Sequence, residues 1–225
     1  MPTLLVTGAN RGLGLALLRT FAADAWRIHA CCRQPDKAKD LKAVAGDIRV
    51  HRLDVTDGLR VAGLARELAD EPVDILINNA GVYGPRTGFG ETDYDDWSKV
   101  LAVNTLAPLR LVERFVEHVG RSGRKLIVNV SSRMGSVSQN AGGAYVYRSS
   151  KAALNSVTKG LAADLAERGI TVVAVHPGWV QTDMGGAEAD ISAEESAGGL
   201  RRVIDGLTPE DSGRFLNHDG TEIPW

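Results

Sequence analysis

The sequence predicts a single α/β domain: a doubly wound parallel sheet of about seven strands, with helices on both of its faces. Short apolar runs alternate with helix-forming segments along most of the 225 residues, which is typical of parallel strands joined by right-handed helical crossovers. Several of the apolar runs are continuous rather than alternating, as expected for strands that are buried on both faces. No linker-like segment or internal repeat divides residues 1–225, so we expect one domain.

The predicted strands are rich in branched apolar residues and lie at residues 4–6, 26–32, 48–53, 73–77, 125–130, 170–175 and 213–216. The helices predicted between them span residues 13–23, 37–44, 58–69, 93–119, 145–167 and 192–206. We expect Pro108 to kink the fourth helix and Gly169 to follow the end of the fifth. Ser192 and Glu195 have the spacing of a capping box at the start of the sixth. Because such sheets bind ligands at the carboxyl ends of their strands, functional residues are expected directly after the strands.

Composition and charge exclude several classes of protein. Hydrophobic residues make up 44% and charged residues 24%, with a net charge of −2, so we predict a globular chain that does not bind nucleic acid. The two cysteines, Cys31 and Cys32, are adjacent and cannot form a disulfide framework, and no metal site is expected from them or from the five scattered histidines. No signal-like or membrane-spanning segment is recognisable, so we expect a cytoplasmic location.

A glycine-rich turn joins the first predicted strand to the first predicted helix. Its sequence, Thr-Gly-Ala-Asn-Arg-Gly-Leu-Gly at residues 7–14, places Gly8, Gly12 and Gly14 where the backbone could approach a pyrophosphate at a helix N-terminus. An ordinary strand-to-helix turn would accept the same composition. The strand–turn–helix setting favours the binding site.

Tyr147 and Lys151 are four residues apart on a predicted helix and therefore share one face. A nearby ammonium stabilises a phenolate, so the pair predicts a lowered pKa for Tyr147 and proton transfer near neutral pH. Tyr145 is the weaker alternative, because Ser149 stands where a lysine would be needed.

Two further polar turns follow predicted strands. Residues 78–81, Asn-Asn-Ala-Gly, come after the fourth strand, and Ser131 and Ser132 end the fifth. A serine hydroxyl at this place could hydrogen-bond a substrate carbonyl, and the alternation of side chains along a strand means that only one of the two should face the site. Both turns also suit ordinary loops.

Together these segments resemble the short-chain dehydrogenase/reductase family, whose motifs occur in this order along nearly the whole chain. Further matches are Asn104 within Val-Asn-Thr and the Pro177-Gly178 pair after the sixth strand. The closer likeness is to a subgroup that contains sniffer-type carbonyl reductases and the bacterial C-factor signalling protein, through segments 147–155, 176–186 and 213–225. The 15 residues from Ser132 to Tyr147 are slightly more than is common in the family.

The resemblance implies a role for individual residues. Tyr147 looks like the acid–base residue, and Lys151 like the residue that lowers its pKa and holds the nicotinamide ribose. Ser132 is similar to the serine that orients the substrate carbonyl, and Asn104 to the residue that supports a proton-relaying water. The cofactor-binding residues implied by the resemblance are Gly8, Asn10, Arg11, Gly12, Leu13, Gly14, Arg33, Asp54, Val55, Asn78, Ala80, Gly81, Tyr147, Lys151, Pro177, Gly178, Val180 and Thr182.

The segment after the second strand predicts the choice of cofactor. Enzymes that select NAD typically carry an acid here, which hydrogen-bonds the ribose 2′-hydroxyl. This sequence has Cys32 and Arg33 instead, and Arg11 in the glycine turn adds a second cation. Because a guanidinium matches a phosphate, we expect NADP(H) to be preferred over NAD(H).

Two functions follow from the resemblance. The first is an NADP-dependent oxidoreductase that reduces an aldehyde or ketone to an alcohol, with a small-molecule substrate covered by a segment at about residues 185–206. The second is a C-factor-like signalling or nucleotide-binding protein in which turnover is incidental. Relatives often assemble through their long helices, so we expect a homo-oligomer, a dimer, built through residues 93–119 and 145–167. The sequence does not name the physiological substrate.

Overall fold

The computed structural model describes residues 1–225 and confirms the predicted α/β fold, with one sheet of seven parallel strands. The strands are β1 (Thr3–Thr7), β2 (Arg27–Cys32), β3 (Asp47–Arg52), β4 (Ile75–Asn78), β5 (Leu126–Val130), β6 (Thr171–His176) and β7 (Phe215–Asn217). Their order across the sheet is β3-β2-β1-β4-β5-β6-β7. The winding direction therefore reverses between β1 and β4, which opens a crevice at the carboxyl ends of these strands.

Helices cover both faces of the sheet, and they are α1 (Gly12–Ala22), α2 (Lys39–Lys42), α3 (Gly58–Glu67), α4 (Tyr94–Leu101), α5 (Ala107–Gly120), α6 (Tyr145–Asp164) and α7 (Ala193–Gly206). The helices α1 and α7 pack on one face, and α3, α5 and α6 pack on the other. Each face has its own hydrophobic core. Within β1, Leu4 and Val6 pack in the core beneath α1 and α7, and Leu5 packs in the core beneath α3, α5 and α6. The continuous apolar strands therefore serve two cores at once. No helix combines the length and the hydrophobicity that a membrane crossing requires.

The long helical stretch predicted at residues 93–119 is interrupted at Asn104 rather than at Pro108. The helix α4 leads into a π-helical turn, Ala102–Leu106, in which the N–H of Ala107 bonds the carbonyl of Ala102. Pro108 is the second residue of α5, the helix that directly follows this turn. The helical stretch is therefore irregular just before Pro108, where the π-helical turn carries the buried Asn104, and a kink at Pro108 itself stays a prediction.

The C-terminal helix also departs in part from the sequence-based picture. Its predicted capping box is present, with Glu195 N–H donating to the Ser192 hydroxyl and the Glu195 carboxylate accepting from Ser192 N–H. The expectation that residues 185–206 cover the substrate stays a prediction, and within this segment α7 belongs to the core. Leu200 and Ile204 of α7 are almost completely buried in the cluster that includes α1. Burial of this apolar face against α1 leaves only the segment before α7 to line a cleft.

Candidate active site

One cleft of about 1460 Å³ lies at the carboxyl end of the sheet. That volume exceeds the 300–1,000 Å³ usual for a drug-sized ligand, so the cleft has room for a larger ligand or for two. Its walls are the segments that directly follow strands, as the fold predicts, and they include residues of 8–14, 32–34, 53–56, 79–83, 130–134 and 176–185. Of the residues predicted for the site, Asn78 and Asn104 do not line this cleft, and all the others do.

The glycine turn forms a cradle that has no room for side chains. Gly8 and Gly12 have φ values of 66° and 51°, a region that favours glycine. A Cβ atom on Gly14 would lie only 2.2 Å from the carbonyl oxygen of Gly8. No side chain caps α1, so the free N–H groups of its first turn face the cleft with the positive end of the helix dipole. This arrangement fits the pyrophosphate of a dinucleotide.

Asn79, rather than Asn78, holds the glycine turn in place. Its Nδ2 donates to the carbonyl oxygens of Thr7 and Gly8, at 2.9 and 3.2 Å. The side chain of Asn78 lies in the interior, where it donates to Asn129 Oδ1 at 2.8 Å. Neighbouring residues at a strand end point to opposite sides, and the sequence did not show which of the two asparagines faces the turn. The structure places Asn78 outside the cleft, contrary to its assignment as a cofactor contact.

Arg33 and Asp54 lie at the end of the cleft near β2 and β3. Hydrogen bonds from Thr56, followed by the nearby charge of Arg33, hold the pKa of Asp54 below its usual value. Arg33 has no carboxylate partner within salt-bridge distance, whereas Arg11 is paired with Asp183 from the loop after β6. The two arginines assigned to the phosphate therefore differ in their availability: Arg11 already has an anionic partner, and Arg33 has none.

Tyr147 and Ser132 both lie on the wall of the cleft. Burial raises the pKa of Tyr147 to about 12, and the neighbouring Ser132 hydroxyl opposes this shift. The expected net lowering of this pKa is not found in this structure, because burial is the largest influence and Lys151 is not among the groups that shift it. The ammonium of Lys151 lies 5.8 Å from the centre of the Tyr147 ring and donates to the carbonyl of Val130 at 2.8 Å. A phenol in this state keeps its proton at neutral pH.

The structure separates the two serines at the end of β5. The Ser131 hydroxyl donates to Asn155 Oδ1 at 2.6 Å and is buried in the interior. The Ser132 hydroxyl instead lies beside Tyr147, whose pKa it influences, and accepts from the N–H of Met134. Ser132 is therefore the serine that shares the site with the tyrosine, and Ser131 has a structural partner.

Asn104 and Lys151 both lie beside Gly81, Lys151 on the cleft wall and Asn104 outside it. A Cβ atom on Gly81 would lie 3.3 Å from Asn104 Oδ1 and 3.6 Å from Lys151 Nζ. Asn104 Oδ1 accepts from Val82 N–H, and its Nδ2 donates to the Val82 carbonyl and to Ser150. Burial lowers the pKa of Lys151 to about 8. The side chain of Asn104 is thus fully engaged within the protein, and its role in a water relay stays a prediction.

We call the part of the cleft around Tyr147 the substrate end. Sequence reasoning missed Tyr83, whose ring stacks on that of Tyr147 with centres 4.4 Å apart and planes inclined by 17°. Arg86 lies over the ring of Tyr83, with 4.6 Å from its guanidinium carbon to the ring centre. Both residues follow the predicted Asn-Asn-Ala-Gly turn, but their contact with Tyr147 depends on a chain reversal that no local pattern revealed.

The loop after β6 covers the glycine turn. Val180 pairs with Ile191 through a short parallel bridge, and the methyl group of Thr182 would lie 3.1 Å from a Cβ on Gly12. Pro177, Gly178, Val180 and Thr182 all line the cleft, as the sequence predicted. Of residues 185–206, only Gly185, Asp190 and Ile191 do so.

Comparison with known proteins agrees with this geometry. The profile of the short chain dehydrogenase family matches residues 2–192. The C-signal protein of Myxococcus xanthus is 47% identical over 162 residues, which are 72% of this chain and 98% of that protein. An NADPH-bound carbonyl reductase from chicken fatty liver superposes with a TM-score of 0.93 at 35% identity, over 100% of this chain and 99% of its own. The carbonyl reductase Sniffer of D. melanogaster does so with a TM-score of 0.95 at 32% identity, over 100% of both chains.

The resemblance found in the sequence is therefore confirmed. The motif order, the seven-stranded sheet and the matches to the sequence profile and to the solved structures agree over most of the chain. The chain belongs to the short-chain dehydrogenase family of oxidoreductases, and sniffer-type carbonyl reductases and a C-signal protein are among its relatives.

Proposed function

We propose that this protein is an NADP-dependent carbonyl reductase that converts an aldehyde or ketone to an alcohol. The observation that carries the proposal is the Ser132–Tyr147 pair, which lies with Lys151 on the wall of a cleft that also contains a glycine cradle. NADP-bound and NADPH-bound structures among the relatives support a nicotinamide dinucleotide. Binding alone gives no evident need for a buried phenol and a serine hydroxyl at the same place.

The residues present fit such a cofactor. The backbone of Gly12, Leu13 and Gly14 would hold the pyrophosphate, since their N–H groups open α1 without a side-chain cap. Lys151 would hold the nicotinamide ribose, for which its ammonium would leave the carbonyl of Val130. When bound, the nicotinamide supplies a hydride to the carbonyl carbon of the substrate.

The chain itself supplies the proton. Ser132 donates a hydrogen bond to the substrate carbonyl and stabilises the oxygen as negative charge develops there. Tyr147 holds its proton at neutral pH, because burial raises its pKa to about 12, and it gives that proton to the same oxygen. The ammonium of Lys151 then stabilises the phenolate that remains, until solvent returns a proton.

The preference for NADPH over NADH is part of the proposal. Arg33 lines the cleft after β2 and has no carboxylate partner, so its guanidinium is available to a 2′-phosphate. Arg11 contributes less, because a phosphate would have to compete with Asp183 for it.

A carbonyl panel tests the proposed reaction directly. We expect the purified protein to oxidise NADPH in the presence of aromatic aldehydes or α-dicarbonyl compounds, measured as loss of nicotinamide absorbance. Titration calorimetry in the same experiment should show NADPH binding. Tight NADPH binding with no consumption by any carbonyl would contradict the proposal.

A second candidate function is signalling, and the 47% identity to a C-signal protein favours it. In that case the nucleotide would stabilise the fold and turnover would be incidental. Substitution of Tyr147 by Phe distinguishes the two functions, because a signalling role would survive the loss of one hydroxyl that is essential only for reduction.

A further inference from the structure

The substrate end of the cleft carries positive charge that the proposed cofactor chemistry does not use. Seven lysine and arginine residues line the whole cleft against three aspartates, whereas the complete chain has 26 basic and 28 acidic residues. Arg11, Arg33 and Lys151 are assigned to the cofactor. The basic residues that remain are Arg86, Lys99, Arg133 and Arg148.

Three of these four residues have no carboxylate partner. Lys99 is held by Asp96 at 2.8 Å, whereas no salt bridge forms at Arg86, Arg133 or Arg148. The aspartates of the cleft do not neutralise them: Asp54 accepts from Thr56, Asp183 pairs with Arg11, and Asp190 is solvent-exposed. An excess of one sign on a concave wall attracts a ligand of the opposite sign.

The three arginines line the same cleft as Ser132 and Tyr147. Arg133 and Arg148 directly follow Ser132 and Tyr147 in the sequence. Arg86 lies over the ring of Tyr83, which stacks on Tyr147, and it donates to the carbonyl of Met184 at 3.1 Å. Burial, followed by the cation of Arg133, lowers the pKa of His176 to about 4, and both residues line the cleft.

Arg148 also has a donor without an acceptor. Its Nε–H is buried and makes no hydrogen bond, and its only hydrogen bond, from Nη1 to the carbonyl of Met134, is 3.5 Å long. Buried donors are normally satisfied, so this residue of the cleft wall retains a donor for which the protein supplies no acceptor.

We propose that Arg86, Arg133 and Arg148 form an anion subsite, and that the substrate is a carbonyl compound that also carries a carboxylate. The inference rests on the proposed function. The carbonyl binds at Ser132 and Tyr147, and the carboxylate accepts hydrogen bonds from the arginines beside them. Guanidinium groups suit this task because they donate two parallel hydrogen bonds to a carboxylate.

A matched pair of aldehydes tests the subsite. The probes are 4-carboxybenzaldehyde and the neutral methyl 4-formylbenzoate, and kcat/KM is measured for both with NADPH. We expect the wild-type protein to prefer the carboxylate at least about 10-fold, because hydrogen bonds to charged groups contribute most. Arg86→Gln, Arg133→Gln and Arg148→Gln should each lower kcat/KM for the carboxylate about 10- to 100-fold and leave the ester nearly unchanged. Lys99→Gln is the control, and it should alter neither substrate.

The outcomes separate this inference from the proposed function. If the ester is reduced as well as the carboxylate, the subsite is wrong and carbonyl reduction stands. If neither aldehyde is reduced, the proposed function fails, and calorimetry with 4-methylbenzoate and 4-methylbenzamide decides about the subsite. Tighter binding of the benzoate that is lost in Arg133→Gln would support it, and equal binding of the two compounds would overturn it. Arg86 and Arg133 are exposed, so their substitutions leave the core intact.

Discussion

The substitution Gly14→Ala tests how closely the glycine turn is packed. The added Cβ would lie 2.2 Å from Gly8 O and 2.5 Å from Asn79 Nδ2, more than about 1 Å inside the separation of 3.5–4.0 Å at which atoms pack well. Gly8 cannot yield easily, because its φ of 66° and its hydrogen bond from Asn79 define the turn. Overpacking of this kind costs about 1–3 kcal/mol of stability.

The same shift should weaken binding of NADPH. Loss of one charge-assisted hydrogen bond between the turn and the pyrophosphate corresponds to about 1.5–3 kcal/mol, or about 10- to 150-fold in Kd. Titration calorimetry measures the affinity, and urea denaturation measures the stability. The matched control is Gly63→Ala in α3, where an added Cβ meets nothing within 4 Å and should stabilise the protein by about 0.5–1 kcal/mol. If Gly14→Ala binds NADPH as tightly as the wild type and is no less stable, the described cradle is incorrect.

Three further predictions concern single side chains. Arg33→Ser should weaken NADPH binding about 10- to 100-fold and leave NADH binding unchanged, whereas Arg11→Ser should have a smaller effect; equal losses in titrations with both cofactors would contradict the assignment. Ser132→Ala should lower kcat about 10²- to 10³-fold. Ser131→Ala should retain turnover but lose about 1–3 kcal/mol of stability, because Asn155 Oδ1 loses its hydrogen-bond donor. Burial lowers the pKa of Lys151 to about 8. Between pH 8 and about 10.5 the unfolded chain therefore binds more protons than the folded chain, so the free energy of unfolding rises with pH across this window. Lys151→Met should remove that rise in denaturation curves at pH 7 and 9.5, and an unchanged rise would refute the prediction.

The sheet could be predicted because each strand carries its own local signal. Continuous apolar runs such as residues 4–6 occur where both faces of the sheet are covered, and glycine or proline marks several of the turns between elements. The π-helical turn at Asn104 gave no such signal. Within this turn Asn104 pairs with the backbone of Val82, 22 residues away in the chain, and no local pattern reveals such a contact.

In the candidate site, too, local patterns could be predicted and contacts between distant segments could not. Tyr147 and Lys151 could be found because a spacing of four residues on one helix is a local pattern. The choice of Ser132 over Ser131 depends on Asn155, and the pairing of Arg11 depends on Asp183, 172 residues away. The shift of the Tyr147 pKa was predicted in the wrong direction, since burial is a property of the folded chain and cannot be read from the spacing to Lys151.

The most direct test of the central claim is the turnover of Tyr147→Phe compared with that of Tyr145→Phe. Both substitutions remove one hydroxyl and keep the ring, and Tyr145 lies on the same helix but is solvent-exposed. If Tyr147 donates the proton, carbonyl reduction by Tyr147→Phe should fall by a factor on the order of 10² to 10⁴, with NADPH binding nearly unchanged. Tyr145→Phe should remain active. Retained turnover in Tyr147→Phe, together with lost turnover in Tyr145→Phe, would contradict the account.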